Sequence, residues 1–185
     1  RVKITGFLMN FYKILNSYKT YFDIKEELGR GADGIVWNYN DKAIKICIGN
    51  YDSFCNSLIN LNKINYVCKI YEYNKLGEYL DYDVYYYVME KLEKLSDDES
   101  KVFFTLLSHE DNNKKKNYTE ENAIEILNKL KIGLDFDFDK VLYFFNKIML
   151  NEINHLDISE RNIMKDSCGT FKLIGFERIK NEDEN

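Results

Sequence analysis

Apolar positions change their spacing several times along the chain, and each change predicts an element. From Phe7 to Tyr21 they recur at helical intervals (Leu8, Phe11, Tyr12, Leu15, Tyr18), which predicts an amphipathic helix packed on the domain. From Phe22 the pattern shortens to extended runs punctuated by glycine. It predicts three consecutive strands at Phe22 to Leu28, Ile35 to Tyr39 and Lys42 to Ile48, joined by tight turns. Tyr51 to Ile64 returns to helical spacing through Phe54, Leu58 and Leu61. Val67 to Tyr73 and Val84 to Met89, rich in β-branched and aromatic residues, predict two more strands. The order is three strands, one helix, two strands.

After Glu90 the chain turns mainly helical. Ser96-Asp97-Asp98-Glu99 reads as a capping box, with the Ser side chain taking a free N–H and Glu99 reaching back. A polar stretch from Glu110 to Asn117 predicts a loop, and Thr119 can cap a second helix to about Lys131. A third helix is predicted from Phe138 to Ile153, with Leu142, Phe145 and Met149 on one face. Ile163 to Lys165 and Phe171 to Ile174, separated by Asp166-Ser167-Cys168-Gly169, predict a hairpin. Asn181 to Asn185 is a charged tail, and no internal repeat is visible. The fold class expected is α+β, with a strand-rich part to about Met89 and a helical part after it.

Composition narrows the function classes. Hydrophobic residues make up 45% of the chain, enough for a folded core in one domain or in two small lobes. The net charge of −5 supplies no basic field, which disfavours nucleic acid as a partner. The dense run Lys114-Lys115-Lys116 lies in the polar stretch and reads as a solvated loop. The four cysteines (Cys47, Cys55, Cys68, Cys168) form no C-x-x-C pair, and His109 and His155 do not extend them into a zinc pattern. They are expected to be small apolar fillers in a reduced chain. No apolar run approaches the roughly 20 residues that span a bilayer, and Arg1-Val2-Lys3 does not begin a signal peptide. The expectation is an intracellular, cytoplasmic protein.

Three segments carry candidate chemistry. Gly29-Arg30-Gly31-Ala32-Asp33-Gly34-Ile35-Val36 fits G-x-G-x-x-G-x-V, in which glycines let backbone N–H groups approach phosphates that a Cβ would block. The spacing also fits a dinucleotide fingerprint, but that needs a following helix, and Ile35 to Tyr39 reads as a strand. Next comes Lys42-Ala43-Ile44-Lys45, where alternation puts Ala43 and Lys45 on one face, beneath the loop. A lysine there can neutralise α- and β-phosphate charge. The third segment is His155-Leu156-Asp157-Ile158-Ser159-Glu160-Arg161-Asn162, between a long helix and a hairpin. Asp157 could accept the proton of an attacking hydroxyl, and Asn162 could hold a divalent ion.

Taken in this order, G-x-G-x-x-G-x-V, A-I-K and H-x-D-I-x-x-x-N resemble the eukaryotic-type protein kinase superfamily. Tyr87-Val88-Met89-Glu90-Lys91-Leu92 is similar to that family's hinge. The resemblance covers roughly Phe22 to Ile179. It implies a two-lobed protein-kinase-like fold within residues 1–185: an N-terminal helix (1–21), a five-stranded N-lobe (22–89) and a reduced helical C-lobe (90–185). It also implies ATP and Mg2+ as cofactors, with Asp157 as base, Lys45 as phosphate anchor and Asn162 as metal ligand. Gly29, Gly31 and Gly34 would cover the phosphates. Met89 would be the gatekeeper, the backbone of Glu90 and Leu92 would bond adenine, and Val36, Ala43 and Met164 would sandwich the ring.

The resemblance also has departures. Gly175-Phe176-Glu177 stands where the family carries the metal-binding D-F-G, so Gly175, a natural or an engineered loss, removes a Mg2+ ligand. The helix from Tyr51 to Ile64 contains no Glu to pair with Lys45, and Asp52 is its nearest acidic candidate. Leu156 replaces an arginine, Ser159 a lysine for which Arg161 is a candidate substitute, and no A-P-E motif follows Phe176. The pattern is similar to minimal kinases of viruses, phages and bacterial effectors, which would extend the expected location to a host cytoplasm, and to compact tRNA-modification kinases. The expected activity is Ser/Thr protein kinase activity. The alternatives are an inactive pseudokinase acting as a protein-binding module and a small-molecule kinase. A protein substrate or partner is expected, with the aromatic helix at Phe7 to Tyr21 and the polar stretch as contact segments, and with no nucleic acid or membrane.

Overall fold

A computed structural model describes residues 12–61, 63–111, 119–150 and 158–174. The chain is mixed α and β and divides into two compact units, Arg1–Ile59 with Lys69–Lys91, and Asn60–Cys68 with Leu92–Asn185.

The first unit is built on a five-stranded antiparallel sheet in the order β1-β2-β3-β5-β4. Its strands are β1 (Glu27–Arg30), β2 (Gly34–Tyr39), β3 (Lys42–Gly49), β4 (Ile70–Tyr79) and β5 (Tyr82–Glu90). Period-two alternation gives the sheet two different faces. One buries Ile35, Trp37, Ile44, Ile46, Val84, Tyr86 and Val88 against Leu15 and Ile24 from the segment that precedes the sheet. That segment is helical over residues 12–17 and again at α1 (Lys19–Phe22). Tyr12, Tyr18 and Phe22 pack on the same cluster, so these rings cover the sheet, whereas Tyr21 is exposed.

The opposite face receives α2 (Tyr51–Leu61). Phe54 stacks on Tyr87 with ring centroids 5.0 Å apart and lies 5.0 Å from Tyr85. The start of α2 is tied to the sheet by Asp83, whose Oδ2 accepts the Tyr51 N–H at 3.0 Å while its Oδ1 pairs with Lys75 Nζ at 2.6 Å. Because both faces are covered, β5 is apolar or aromatic at nearly every position, as expected for a strand buried on two sides.

Two strands depart most from the sequence pattern. The first strand begins at Glu27, not Phe22: Asp23 turns left-handed (φ 48°), closes α1, and leaves the Phe22 ring 4.7 Å from Tyr86. The fourth strand runs Ile70–Tyr79 instead of Val67 to Tyr73. Val67 instead forms an isolated parallel bridge to Leu173, and the Cys68 N–H donates to Leu173 O at 2.9 Å. These bonds place Asn60–Cys68 in the second unit although it precedes β4 in sequence.

The second unit contains α3 (Asp97–Asp111), α4 (Glu120–Leu130), α5 (Phe138–Leu150) and a three-stranded sheet ordered β6-β7-β8. The strands are β6 (Glu93–Lys94), β7 (Ile163–Lys165) and β8 (Phe171–Leu173). The capping box forms as the sequence predicts. The Ser96 N–H donates to Glu99 Oε2 at 2.8 Å, and the Glu99 N–H donates to Ser96 Oγ at 3.2 Å. Thr119 Oγ1 likewise accepts the Asn122 N–H and starts α4. The core joins Val102, Phe103 and Leu106 of α3 to Leu127 of α4, Phe144 and Ile148 of α5, and Phe171 of β8. The buried face of α5 is thus Val141, Phe144, Phe145 and Ile148, with Leu142 and Met149 only at its margin. Helix α3 extends through Asp111, so the predicted polar loop from Glu110 starts later; its residues 112–118 lie outside those described.

Candidate functional site

In the first unit, strand register brings most of the candidate residues onto one sheet face. Across β2 and β3, Gly34 pairs with Cys47, Val36 with Lys45 and Asn38 with Ala43. Across β3 and β5, Ala43 pairs with Met89, Lys45 with Tyr87 and Lys42 with Glu90. Directly paired residues in an antiparallel sheet share a face, so Gly34, Val36, Ala43, Lys45, Tyr87 and Met89 lie together. Ala43 and Met89 are buried, while Val36 and Lys45 are half-buried. The Lys45 ammonium stands 5.8 Å from the Tyr87 ring centroid, within the range of a cation–π contact. Asp52, the acidic candidate on α2, is exposed.

The glycine turn between β1 and β2 is closed by the Gly31 N–H, which donates to Gly34 O at 2.9 Å. Its three glycines are not equivalent. A Cβ at Gly29 or Gly31 would meet nothing within 4 Å, whereas one at Gly34 would lie 2.5 Å from Ile46 O and 2.8 Å from Cys47 Cβ. Gly34 is therefore required by the close approach of β2 to β3, a role that the spacing alone does not distinguish from phosphate cradling. The turn has a further partner in Tyr12, whose hydroxyl donates to Gly31 O at 3.0 Å. The Arg30 guanidinium lies 4.6 Å from the Tyr12 ring centroid and bonds Glu27 with its Nε at 3.0 Å and Nη2 at 2.7 Å. That hydrogen bond holds the Glu27 carboxyl below the usual carboxylate range.

At the end of β5 the Glu90 N–H donates to Lys69 O at 3.0 Å, and the Glu90 carboxylate accepts the Lys69 N–H at 3.0 Å. The Glu90 N–H is thus committed to the backbone of the segment leading into β4.

In the second unit, Leu92 is half-buried just before β6. Asn162 ends a 3-10 turn, Glu160–Asn162. Its N–H donates to Ser159 O at 3.0 Å, and its carbonyl accepts the Ile174 N–H at 2.8 Å. Both ends of its backbone are fixed, and the residue that precedes position 175 is bonded directly to it. Met164 follows on β7, half-buried and paired with Lys94 and Lys172. Arg161 is exposed beside Glu160, with Nε 3.6 Å from Oε1. Asp157 and Gly175, together with His155, Leu156, Phe176 and Glu177, lie outside the described residues. Among the described residues, no cluster of three His, Cys, Asp or Glu side chains forms that could hold a metal.

The most buried ion pair described in this unit lies between Glu99 and Lys165, with Nζ 2.8 Å from Oε2 and 3.0 Å from Oε1. Burial alone would raise the Glu99 carboxyl. Lys165 and the Ser96 N–H and side chain outweigh it and hold the group below its ordinary value.

Against known proteins, the chain matches no family model and no curated protein. No described helix is long and apolar enough to cross a membrane.

Proposed function

We propose that this chain is a protein-kinase-like phosphotransferase that binds ATP with Mg2+ and passes the γ-phosphoryl group to a Ser or Thr hydroxyl of a protein. The observation that carries the reading is the register of β2, β3 and β5. It sets Lys45 on the central strand, with Val36 directly across on one side and Ala43 and Met89 one pair further along. An apolar strip beside a fixed ammonium suits a purine joined to phosphates. The kinase-like arrangement of the two units belongs to this proposal, as does the role of the glycine turn over the phosphates.

In this reading the acceptor hydroxyl oxygen attacks the γ-phosphorus, the bond to the β–γ bridging oxygen breaks, and ADP leaves. Asp157 takes the hydroxyl proton, and Lys45 neutralises α- and β-phosphate charge. Asn162 offers an amide oxygen, the hard donor that Mg2+ prefers, from a backbone fixed at both ends. Mg2+, when bound, would neutralise charge on the phosphates. Gly175 has no side chain to offer as a ligand.

That glycine favours a second reading, in which the same fold binds nucleotide and a protein partner without turnover. Calorimetry with ATP, with and without Mg2+, tests the common part. No binding at millimolar nucleotide would remove both readings. Labelled ATP then separates them: Mg2+-dependent transfer to a protein supports the kinase, and binding without transfer supports the inactive form.

A further inference from the structure

We infer that Tyr12 is a positioning residue for the nucleotide site, holding the glycine turn in the orientation that presents a backbone donor to phosphate. The inference rests on the ATP-binding reading above and adds a residue that lies ahead of the sheet and outside every motif. Its basis is a pair of contacts on consecutive residues, the last of β1 and the first of the turn. The Tyr12 hydroxyl donates to Gly31 O at 3.0 Å, and the Tyr12 ring lies under the Arg30 guanidinium at 4.6 Å. Arg30 is itself fixed by its two bonds to Glu27 on the same strand.

The anchor for these contacts is packed into the core. Leu15, one helical turn on from Tyr12, is fully buried in the cluster with Ile35 and Trp37. The Asn16 side-chain amide also donates to Tyr12 O at 2.8 Å. Tyr12 therefore belongs to the sheet face opposite Lys45, because Trp37 and Ile44 alternate with Val36 and Lys45 along β2 and β3.

The consequence follows from peptide geometry. Gly31 C=O and Ala32 N–H belong to one planar trans peptide and point in opposite directions. Holding that carbonyl toward Tyr12 aims the Ala32 N–H away from the Tyr12 face, to the side of the sheet that carries Lys45. With its own N–H bonded to Gly34 O and its carbonyl to Tyr12, Gly31 leaves this peptide little freedom to rotate. A donor fixed before the ligand arrives avoids the ordering cost that a loose glycine turn would incur on binding. The contribution is felt by phosphate and not by the base.

Parallel titrations of the parent chain, Tyr12→Phe and Tyr18→Phe with ATP and with adenosine test the inference. Tyr12→Phe keeps the ring beneath Arg30 and removes only the hydroxyl. Tyr18 lies on the same segment but near Gly77 instead of the glycine turn. One neutral hydrogen bond corresponds to roughly a three- to tenfold change in affinity. The expected result is ATP affinity lowered by about that factor in Tyr12→Phe only, with adenosine affinity unchanged in both variants. Equal losses for ATP and adenosine, or equal losses in the two variants, would make the effect general packing and overturn the inference. Unchanged ATP affinity in Tyr12→Phe would overturn it while leaving the ATP site standing. A parent chain that binds neither ligand would overturn both.

Discussion

Replacing Gly34 by alanine separates the structural part of the glycine motif from its proposed ligand-binding part. The added Cβ would lie 2.5 Å from Ile46 O and 2.8 Å from Cys47 Cβ, and both neighbours belong to the paired strand β3. Neither is the end of a flexible side chain, so relief requires β2 and β3 to move apart where Gly34 pairs with Cys47. Forcing extra volume into a packed site of this kind costs about 1–3 kcal/mol. For a domain of 60–100 residues, a loss of about 2 kcal/mol lowers the midpoint by about 8–16 °C. The readout is built in. The single tryptophan, Trp37, lies three residues further along β2 and is fully buried, so its fluorescence follows the unfolding of this sheet. Gly29→Ala and Gly31→Ala place their Cβ in open space and should stay within about 0.5 kcal/mol of the parent. If Gly34→Ala melts within about 2 °C of the parent, the close approach of β2 and β3 is not limiting and the argument fails.

Other outcomes follow from the same geometry. Lys45→Met should weaken ATP by at least about tenfold and leave adenosine unchanged, since a hydrogen bond to a charged group contributes about 1.5–3 kcal/mol; equal weakening of both would remove Lys45 as a phosphate anchor. Gly175→Asp should raise phosphoryl transfer from labelled ATP to protein by orders of magnitude if the missing ligand limits the rate, and no gain with normal ATP binding would favour the inactive form. Glu99→Gln should destabilise the second unit by about 1–3 kcal/mol by leaving the Lys165 ammonium without its carboxylate, as read by urea unfolding at neutral pH. Because the Glu99 carboxyl titrates lower in the folded chain than in the unfolded one, its contribution is complete above the ordinary glutamate range. It should fade as the pH falls from the ordinary glutamate range through the lower folded value, and a parent-minus-variant difference that did not shrink on acidification would refute this assignment.

Elements buried on two sides were the most legible. Strands β2, β3 and β5 stand out because their apolar and aromatic runs serve two packed faces, and alternation along Lys42-Ala43-Ile44-Lys45 placed Ala43 with Lys45. Local capping chemistry was equally readable, since Ser96, Glu99 and Thr119 act within one helical turn. Features that depend on distant partners were not. Phe22 has strand propensity but is used as a helical residue against Tyr86. The second half of β4 lies on the sheet edge, where half-buried Leu76, Gly77 and Tyr79 sit among exposed Asn74, Lys75 and Glu78, and a register shift between Lys75 and Gly77 breaks the alternation that would mark a strand. The attachment of Asn60–Cys68 to the second unit depends on bonds to Leu173, more than a hundred positions away. In the candidate site, the spacing of three glycines reads identically whether a glycine is needed for a ligand or for a neighbouring strand. Only the distance from Gly34 to Ile46 O separates the two.

The absence of a glutamate from α2 changes how that helix is held. Its docking comes from Phe54, which meets Tyr85, Tyr87 and Tyr73 at centroid distances of 5.0, 5.0 and 5.8 Å. Asp83 adds to this by accepting the N–H at the helix start. Aromatic pairs of this kind add about 0.5–1.5 kcal/mol each beyond the area they bury. They do not depend on the protonation or occupancy of anything bound nearby. The helix should therefore remain seated when the charge at Lys45 is removed, and Lys45→Met should unfold with the parent's Trp37 transition. Phe54→Ala should lower that transition by about 3–5 kcal/mol, the usual cost of emptying a buried phenylalanine site. The Tyr87 ring that receives Phe54 on one strand also stands near the Lys45 ammonium on the next. One ring thus links helix docking to the placement of the proposed phosphate anchor, so loss of Phe54 should weaken ATP as well as the fold, whereas loss of Lys45 should weaken ATP alone.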